Sequence, residues 1–123
     1  MKKLVSAILA FGVAISAAPS AGAHASYTDS NPKARSVVTK LPKLIWVEFD
    51  GNLLTIADKQ TNFLSVKNSK GKEISDGKAY VGGARLTVKI KDQKATGLIK
   101  VSWRVVSEDG HPVSSSLTFT VRK

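Results

Sequence analysis

Leu98-Ile99-Lys100-Val101-Ser102-Trp103-Arg104-Val105 decides the fold. Ile99, Val101, Trp103 and Val105 fall on one face of an extended chain, and Lys100, Ser102 and Arg104 on the other. Period-two alternation marks a strand with one buried and one wet face, the antiparallel signature. Downstream, Ser115, Leu117, Phe119 and Val121 alternate with Ser116, Thr118 and Thr120. Upstream, residues 84–91 set Leu86, Val88 and Ile90 against Arg85, Thr87, Lys89 and Lys91, and residues 44–49 set Ile45, Val47 and Phe49 against Leu44, Trp46 and Glu48. Residues 63–67 and 78–81 are shorter candidates, and 37–38 reads as a short edge strand.

Turn signals separate these runs: Asn31-Pro32, Leu41-Pro42-Lys43, Asp50-Gly51-Asn52, Asn68-Ser69-Lys70-Gly71, Asp76-Gly77 and Gly82-Gly83. The stretch 53–61 reads as a helical turn or an irregular connection. About seven short strands with no helical periodicity predict an all-β chain, a Greek-key β-sandwich.

The first 23 residues have the form of a secretory signal. Lys2 and Lys3 precede an apolar run from Leu4 to Ala18, and Ala21-Gly22-Ala23 has the small-x-small form of a cleavage site. The run is short and rich in small residues for a membrane span. We therefore expect one domain over residues 24–123, exported to the periplasm or secreted. No transmembrane segment is expected in that mature part. The chain has no cysteine, so neither a lipoprotein anchor nor a disulfide is available.

Net charge is +10, and without Lys2 and Lys3 the remaining 17 Lys+Arg and 9 Asp+Glu leave +8. Such a balance suits nucleic acid, an anionic membrane or an acidic partner. The lysines, however, are scattered singly and in pairs, with no basic run interleaved with aromatics. Nucleic acid is therefore not an expected partner, and solvated strand faces account for most of the charge.

Cleavage after Ala23 would make His24 the first residue. The α-amine and imidazole of an N-terminal histidine close one chelate ring. The other histidine, His111, stands in Asp109-Gly110-His111-Pro112. Two residues apart in extended backbone, Asp109 and His111 would project from one face. His24, Asp109 and His111 together supply three nitrogens and one oxygen. Tetragonal N,O coordination suits one Cu(II) per chain; Zn(II) would take the same donors tetrahedrally. Asp-Gly-His-Pro also reads as an ordinary turn, with Asp109 bonded to backbone amides.

The segment from Trp103 to Ser114, Trp-Arg-Val-Val-Ser-Glu-Asp-Gly-His-Pro-Val-Ser, closely resembles the hallmark of the CopC family of copper-resistance proteins. The start His24-Ala25-Ser26, followed by Asn31-Pro32-Lys33-Ala34, resembles the family's mature N-terminus. Residues 41–49 and 115–121 also match, whereas 52–83 resembles it weakly. The resemblance implies a cupredoxin-like or immunoglobulin-like sandwich that is not an enzyme. It further implies that His24, Asp109 and His111 hold Cu(II). The usual partner in the family is a CopD-type membrane copper transporter, sometimes fused to the same chain. This chain ends at Lys123 after the last strand, so a stand-alone, monomeric domain is expected.

Two departures matter. Some members carry a methionine-rich Cu(I) loop; the one methionine here is Met1, so a thioether site is absent on inventory. Many members have Ser-Glu-Pro where this chain has Asp50-Gly51-Asn52, so we leave Asp50 out of the ligand set. Trp103 is expected in the core near the site. Ser107, Glu108 and Ser114 are candidates to orient the imidazoles. The expected function is copper sequestration or delivery. The alternatives are a metal-free immunoglobulin-like interaction module and a copper oxygenase.

Overall fold

A computed structural model of the chain describes residues 25–123. The expected leader, 1–23, and His24 lie outside the described residues. The strands are β1 (Tyr27–Asn31), β2 (Val37–Val38), β3 (Leu44–Phe49), β4 (Phe63–Lys67), β5 (Tyr80–Gly82), β6 (Arg85–Lys89), β7 (Gly97–Val106) and β8 (Pro112–Val121). They form two four-stranded sheets, ordered β1-β3-β6-β5 and β2-β8-β7-β4. Only β2 runs parallel to its neighbour, β8; the other pairings are antiparallel. The all-β sandwich is as expected, with eight strands rather than about seven.

The extra strand is β1. Its sequence, Tyr-Thr-Asp-Ser-Asn, lacks apolar alternation. The residue facing the core, Ser30, is 2% exposed. Its hydroxyl meets the carbonyl of Pro32 at 2.8 Å and the Tyr27 hydroxyl at 2.8 Å. A buried hydroxyl with partners escapes the desolvation penalty of an unpaired one. Pairing with β3 fixes the rest. Residues 53–61 are irregular rather than helical, with single bridges Leu53↔Ser107 and Ile56↔Lys59.

The alternating residues build the core as the pattern dictates. Ile45, Val47 and Phe49 of β3 and Leu86 and Val88 of β6 face Leu64, Val66, Ile99, Val101, Val105 and Phe119. Burying each large apolar side chain stabilises the fold by about 1.5–3 kcal/mol. Among the described strands, only β5–β6 and β7–β8 are consecutive within one sheet; every other connection crosses between sheets.

The loops therefore gather at two ends. At one end the N–H groups of Asp50, Leu53 and Leu54 reach the carbonyls of Ser26, Gly83 and Val106 at 2.9, 3.0 and 2.8 Å. At the other, the N–H groups of Ile90, Lys91 and Arg122 reach the carbonyls of Lys43, Ile74 and Val38 at 2.9, 2.8 and 2.8 Å.

Candidate metal centre

The β7–β8 hairpin carries Asp109 and His111 on its tip. The Gly110 N–H donates to the Ser107 carbonyl at 2.8 Å, and the Ser107 N–H to the His111 carbonyl at 3.1 Å. Gly110 sits at φ 86°, a left-handed value that a side chain disfavours. The backbone is thus the tight turn that Asp-Gly-His-Pro also suggested, with Asp109 bonded to a backbone amide, and not an extended segment. Asp109 and His111 converge because the chain reverses between them, not because alternate residues share a face.

The turn joins the two side chains directly. His111 Nδ1 lies 2.6 Å from Asp109 Oδ2. Asp109 Oδ1 accepts from the Ser107 hydroxyl and from the His111 N–H, the latter at 3.2 Å. The Ser107 hydroxyl, followed by His111, holds the Asp109 carboxyl well below the usual carboxylate range. An ionised carboxylate only accepts. A neutral His111 ring donating to it carries its proton on Nδ1. Each carboxylate oxygen has about two acceptor directions. Oδ1 has filled both, while Oδ2 retains one. The His111 side chain is 64% exposed and that of Asp109 26%.

Ser107, expected to orient an imidazole, instead orients Asp109. It is buried, and its hydroxyl engages the carboxylate. Glu108 and Ser114 are exposed.

The chain's N-terminal root comes to the same end. Ala25 is 2% exposed and belongs to the core. The Ser26 N–H donates to Asp50 Oδ1 at 2.9 Å, and the Asp50 N–H returns a bond to the Ser26 carbonyl at 2.9 Å. Asp50 thus clamps the strand entry two residues after His24. The segment that follows then reaches the hairpin, through the Leu53↔Ser107 bridge and the Leu54 bond to Val106. Asn62, 3% exposed, locks this junction. Its Oδ1 accepts from the Val106 N–H at 2.9 Å, and its Nδ2 donates to the Leu54 carbonyl at 2.8 Å. Sequence reading gave no sign of Asn62, since an isolated asparagine in an irregular stretch has no pattern.

Trp103 lies beneath, in the core as expected, 5% exposed. Tyr27 stacks on it with ring centroids 5.8 Å apart, and Phe49 meets it edge-on at 6.0 Å. The loops around the site carry Asp50, Asp58, Glu108 and Asp109 against Lys59. Their field attracts cations. Among the described residues, no three His, Asp or Glu side chains gather to hold a metal. Asp109 and His111 make two donors, so any further donor would come from outside this pair. No helix among the described residues is long and apolar enough to cross a membrane.

Comparison with known proteins gives a consistent result. The family described as CopC domain matches residues 27–122. The chain is 31% identical over 127 residues to copper resistance protein C of Escherichia coli, covering 99% of this chain and 100% of that one. It is 28% identical over 104 residues to the copper transport protein CutJ of Bacillus subtilis, covering 82% of this chain but spanning only 18% of that relative's length. The crystal structure of CopC from Methylosinus trichosporium OB3b superposes with a TM-score of 0.65 at 31% identity, covering 80% of this chain and 93% of that one.

Proposed function

The chain belongs to the CopC domain family, and on that premise we propose that it holds one Cu(II) ion between its processed N-terminus and the β7–β8 hairpin. Membership makes it a non-enzymatic protein of copper resistance and homeostasis. The observation that carries the finer reading is the Asp109–His111 pair at 2.6 Å, which presents an ordered imidazole beside an ionised carboxylate. His24 would add its α-amine and ring nitrogen, His111 a ring nitrogen and Asp109 a carboxylate oxygen, the last two giving up their mutual hydrogen bond to the ion. Three nitrogens and an oxygen favour Cu(II) over the other common divalent ions, with Zn(II) as the weaker competitor. Asp50 supports the set from outside by anchoring the root of residue 24.

In this reading the leader 1–23 directs export to the periplasm or beyond, and its removal creates the amine donor. The domain then sequesters copper or passes it to a CopD-type membrane transporter.

The test compares chains beginning at His24 with chains carrying one extra residue before it. Authentic protein should bind one Cu(II) with a tetragonal EPR spectrum. The extended protein should bind far more weakly, and His111→Ala should be similarly impaired. Equal binding by the authentic and extended chains would overturn the proposal.

A further inference from the structure

The lysines that lie scattered along the sequence are not scattered in space. The end of the sandwich opposite the hairpin tip collects four separate segments. Lys40 and Lys43 come from the β2–β3 connection, and Lys70 and Lys72 from the turn after β4. Lys91 and Lys94 come from the β6–β7 connection, and Arg122 and Lys123 follow β8. All eight are exposed.

Three carboxylates share that end, and each is tied to local structure. Glu73 bonds the Ser65 and Ser75 hydroxyls, and Asp76 and Asp92 accept the N–H groups of Lys78 and Lys94 at 3.0 Å each. The loops at the hairpin end have the opposite balance, four carboxylates against Lys59, with Arg85 paired to Glu48 and Arg104 on the strands behind them. Eight cations less three carboxylates leave +5 at the end away from the candidate metal centre.

The same end is ringed by exposed apolar side chains. Val37, Leu44 and Leu98 are 56%, 47% and 53% exposed. Each lies at the strand end nearest the cationic loops: Leu44 pairs Lys89, Leu98 pairs Thr120, and Val37 also pairs Thr120. Cations spread over a broad loop surface and rimmed by aliphatic side chains fit a flat anionic layer with an apolar interior. The hollow at that end, between Lys72, Lys91 and Lys94, also holds Glu73 and Asp92, a poor seat for a single strand of polyanion.

We propose that this end is a docking surface for an anionic phospholipid membrane. The lysines and Arg122 meet the headgroup phosphates, and Leu44, Leu98 and Val37 dip into the interfacial layer. A ten-residue strand such as β7 spans about 33 Å, several Debye lengths at physiological salt, each about 8 Å. The acidic hairpin end therefore escapes repulsion and faces away from the bilayer. Docking needs no copper, so its failure would leave the metal reading untouched.

Co-sedimentation with lipid vesicles tests it. The protein should pellet with vesicles of phosphatidylcholine containing phosphatidylglycerol, release with salt, and ignore pure phosphatidylcholine. Each lysine near such a surface is worth about five-fold in affinity. Exchanging Lys70, Lys72, Lys91 and Lys94 together for glutamate should therefore lower binding by at least about a hundred-fold. A matching glutamine set, checked for an unchanged thermal transition, guards against misfolding. Leu98→Asp should weaken binding, whereas Ile56→Asp, an exposed apolar residue at the hairpin end, should not. The proposal is overturned if the charge-reversed protein still pellets. It is also overturned if neutral vesicles bind equally, or if soluble polyglutamate competes as well as the vesicles do, which would point to an acidic protein partner.

Discussion

Replacing Asp50 by alanine isolates the clamp from the ligands. The substitution removes the 2.9 Å bond from the Ser26 N–H but leaves the return bond from the Asp50 N–H. A single hydrogen bond contributes about 0.5–1.5 kcal/mol net. That bond offsets part of the cost of ordering the Ser26 backbone, so without it copper binding must supply the same amount. Because the residue is exposed, fold stability should change little. The loss should appear in copper affinity instead, at roughly 3- to 10-fold from the hydrogen-bond range, with 1.36 kcal/mol per decade. Asp50→Asn keeps an acceptor oxygen for Ser26 and should recover most of it. Competition against a chromophoric Cu(II) chelator reads the constants directly. Loss of a true ligand should exceed the 10- to 100-fold typical of an outer-shell partner. If Asp50→Asn were as damaging as Asp50→Ala, and both exceeded a hundred-fold, Asp50 would be a ligand and the clamp argument would be wrong. If Asp50→Ala left affinity unchanged, the root of residue 24 would not need fixing.

Asn62→Ala strands the part-buried Val106 N–H, at about 1–3 kcal/mol, while the Leu54 carbonyl keeps the Thr61 hydroxyl at 2.8 Å. The thermal midpoint should fall by roughly 5–20 °C, and a shift under 3 °C in a calorimetric scan would contradict that account. Trp103→Ala empties the space between Tyr27 and Phe49 and should cost about 3–5 kcal/mol in urea unfolding; a loss under 1 kcal/mol would show that the rings can collapse. Copper affinity should fall as pH drops, because imidazole and amine donors must lose their protons to bind; a flat profile by EPR titration would exclude nitrogen donors. Asp109, held low chiefly by Ser107, and Asp29, held low chiefly by Lys33, favour the folded state above the ordinary carboxylate range. That contribution should be lost as pH falls below about 4. Replacing both by asparagine should flatten the acid limb of an apo-protein stability curve, and an unchanged limb would show that neither carboxylate contributes.

Strands whose inner face is wholly apolar were legible, β6 and β7 to within two residues at either end and three others to the residue. Residues 37–38, 44–49 and 63–67 match β2, β3 and β4. Alternation failed where a partner element replaced apolar burial. In β1 a satisfied serine takes the inward place. β8 begins at Pro112 rather than residue 115 because its first residues pair along β7 with little burial. Pro112 suits a strand's first residue, where a missing N–H matters least. At the candidate site, residue types alone singled out Asp109 and His111, and of the two geometries on offer, extended backbone or turn, the structure has the turn at Gly110. The Asp50 clamp, the Asn62 lock and the gathering of lysines at one end all join positions distant in sequence, so no local pattern could announce them.

The β7–β8 hairpin has a temporal consequence for the site. Its strands are joined by residues 107–111 and pair over ten positions, from Gly97↔Val121 to Val106↔Pro112. Hairpins with such short closure form on a scale of about 1–10 μs, while pairings of high sequence separation are slow. The Asp109–His111 half is therefore expected to assemble early. The Ser26–Asp50 contact closes 24 residues, and Leu53 must find Ser107 from farther still. The proposed site should thus mature in two steps, hairpin first and the Ser26–Asp50 contact last. A refolding chain mixed with Cu(II) in a stopped-flow cell should show a weak early complex that converts to the final spectrum only as the sandwich closes. One concerted spectral change would contradict that order.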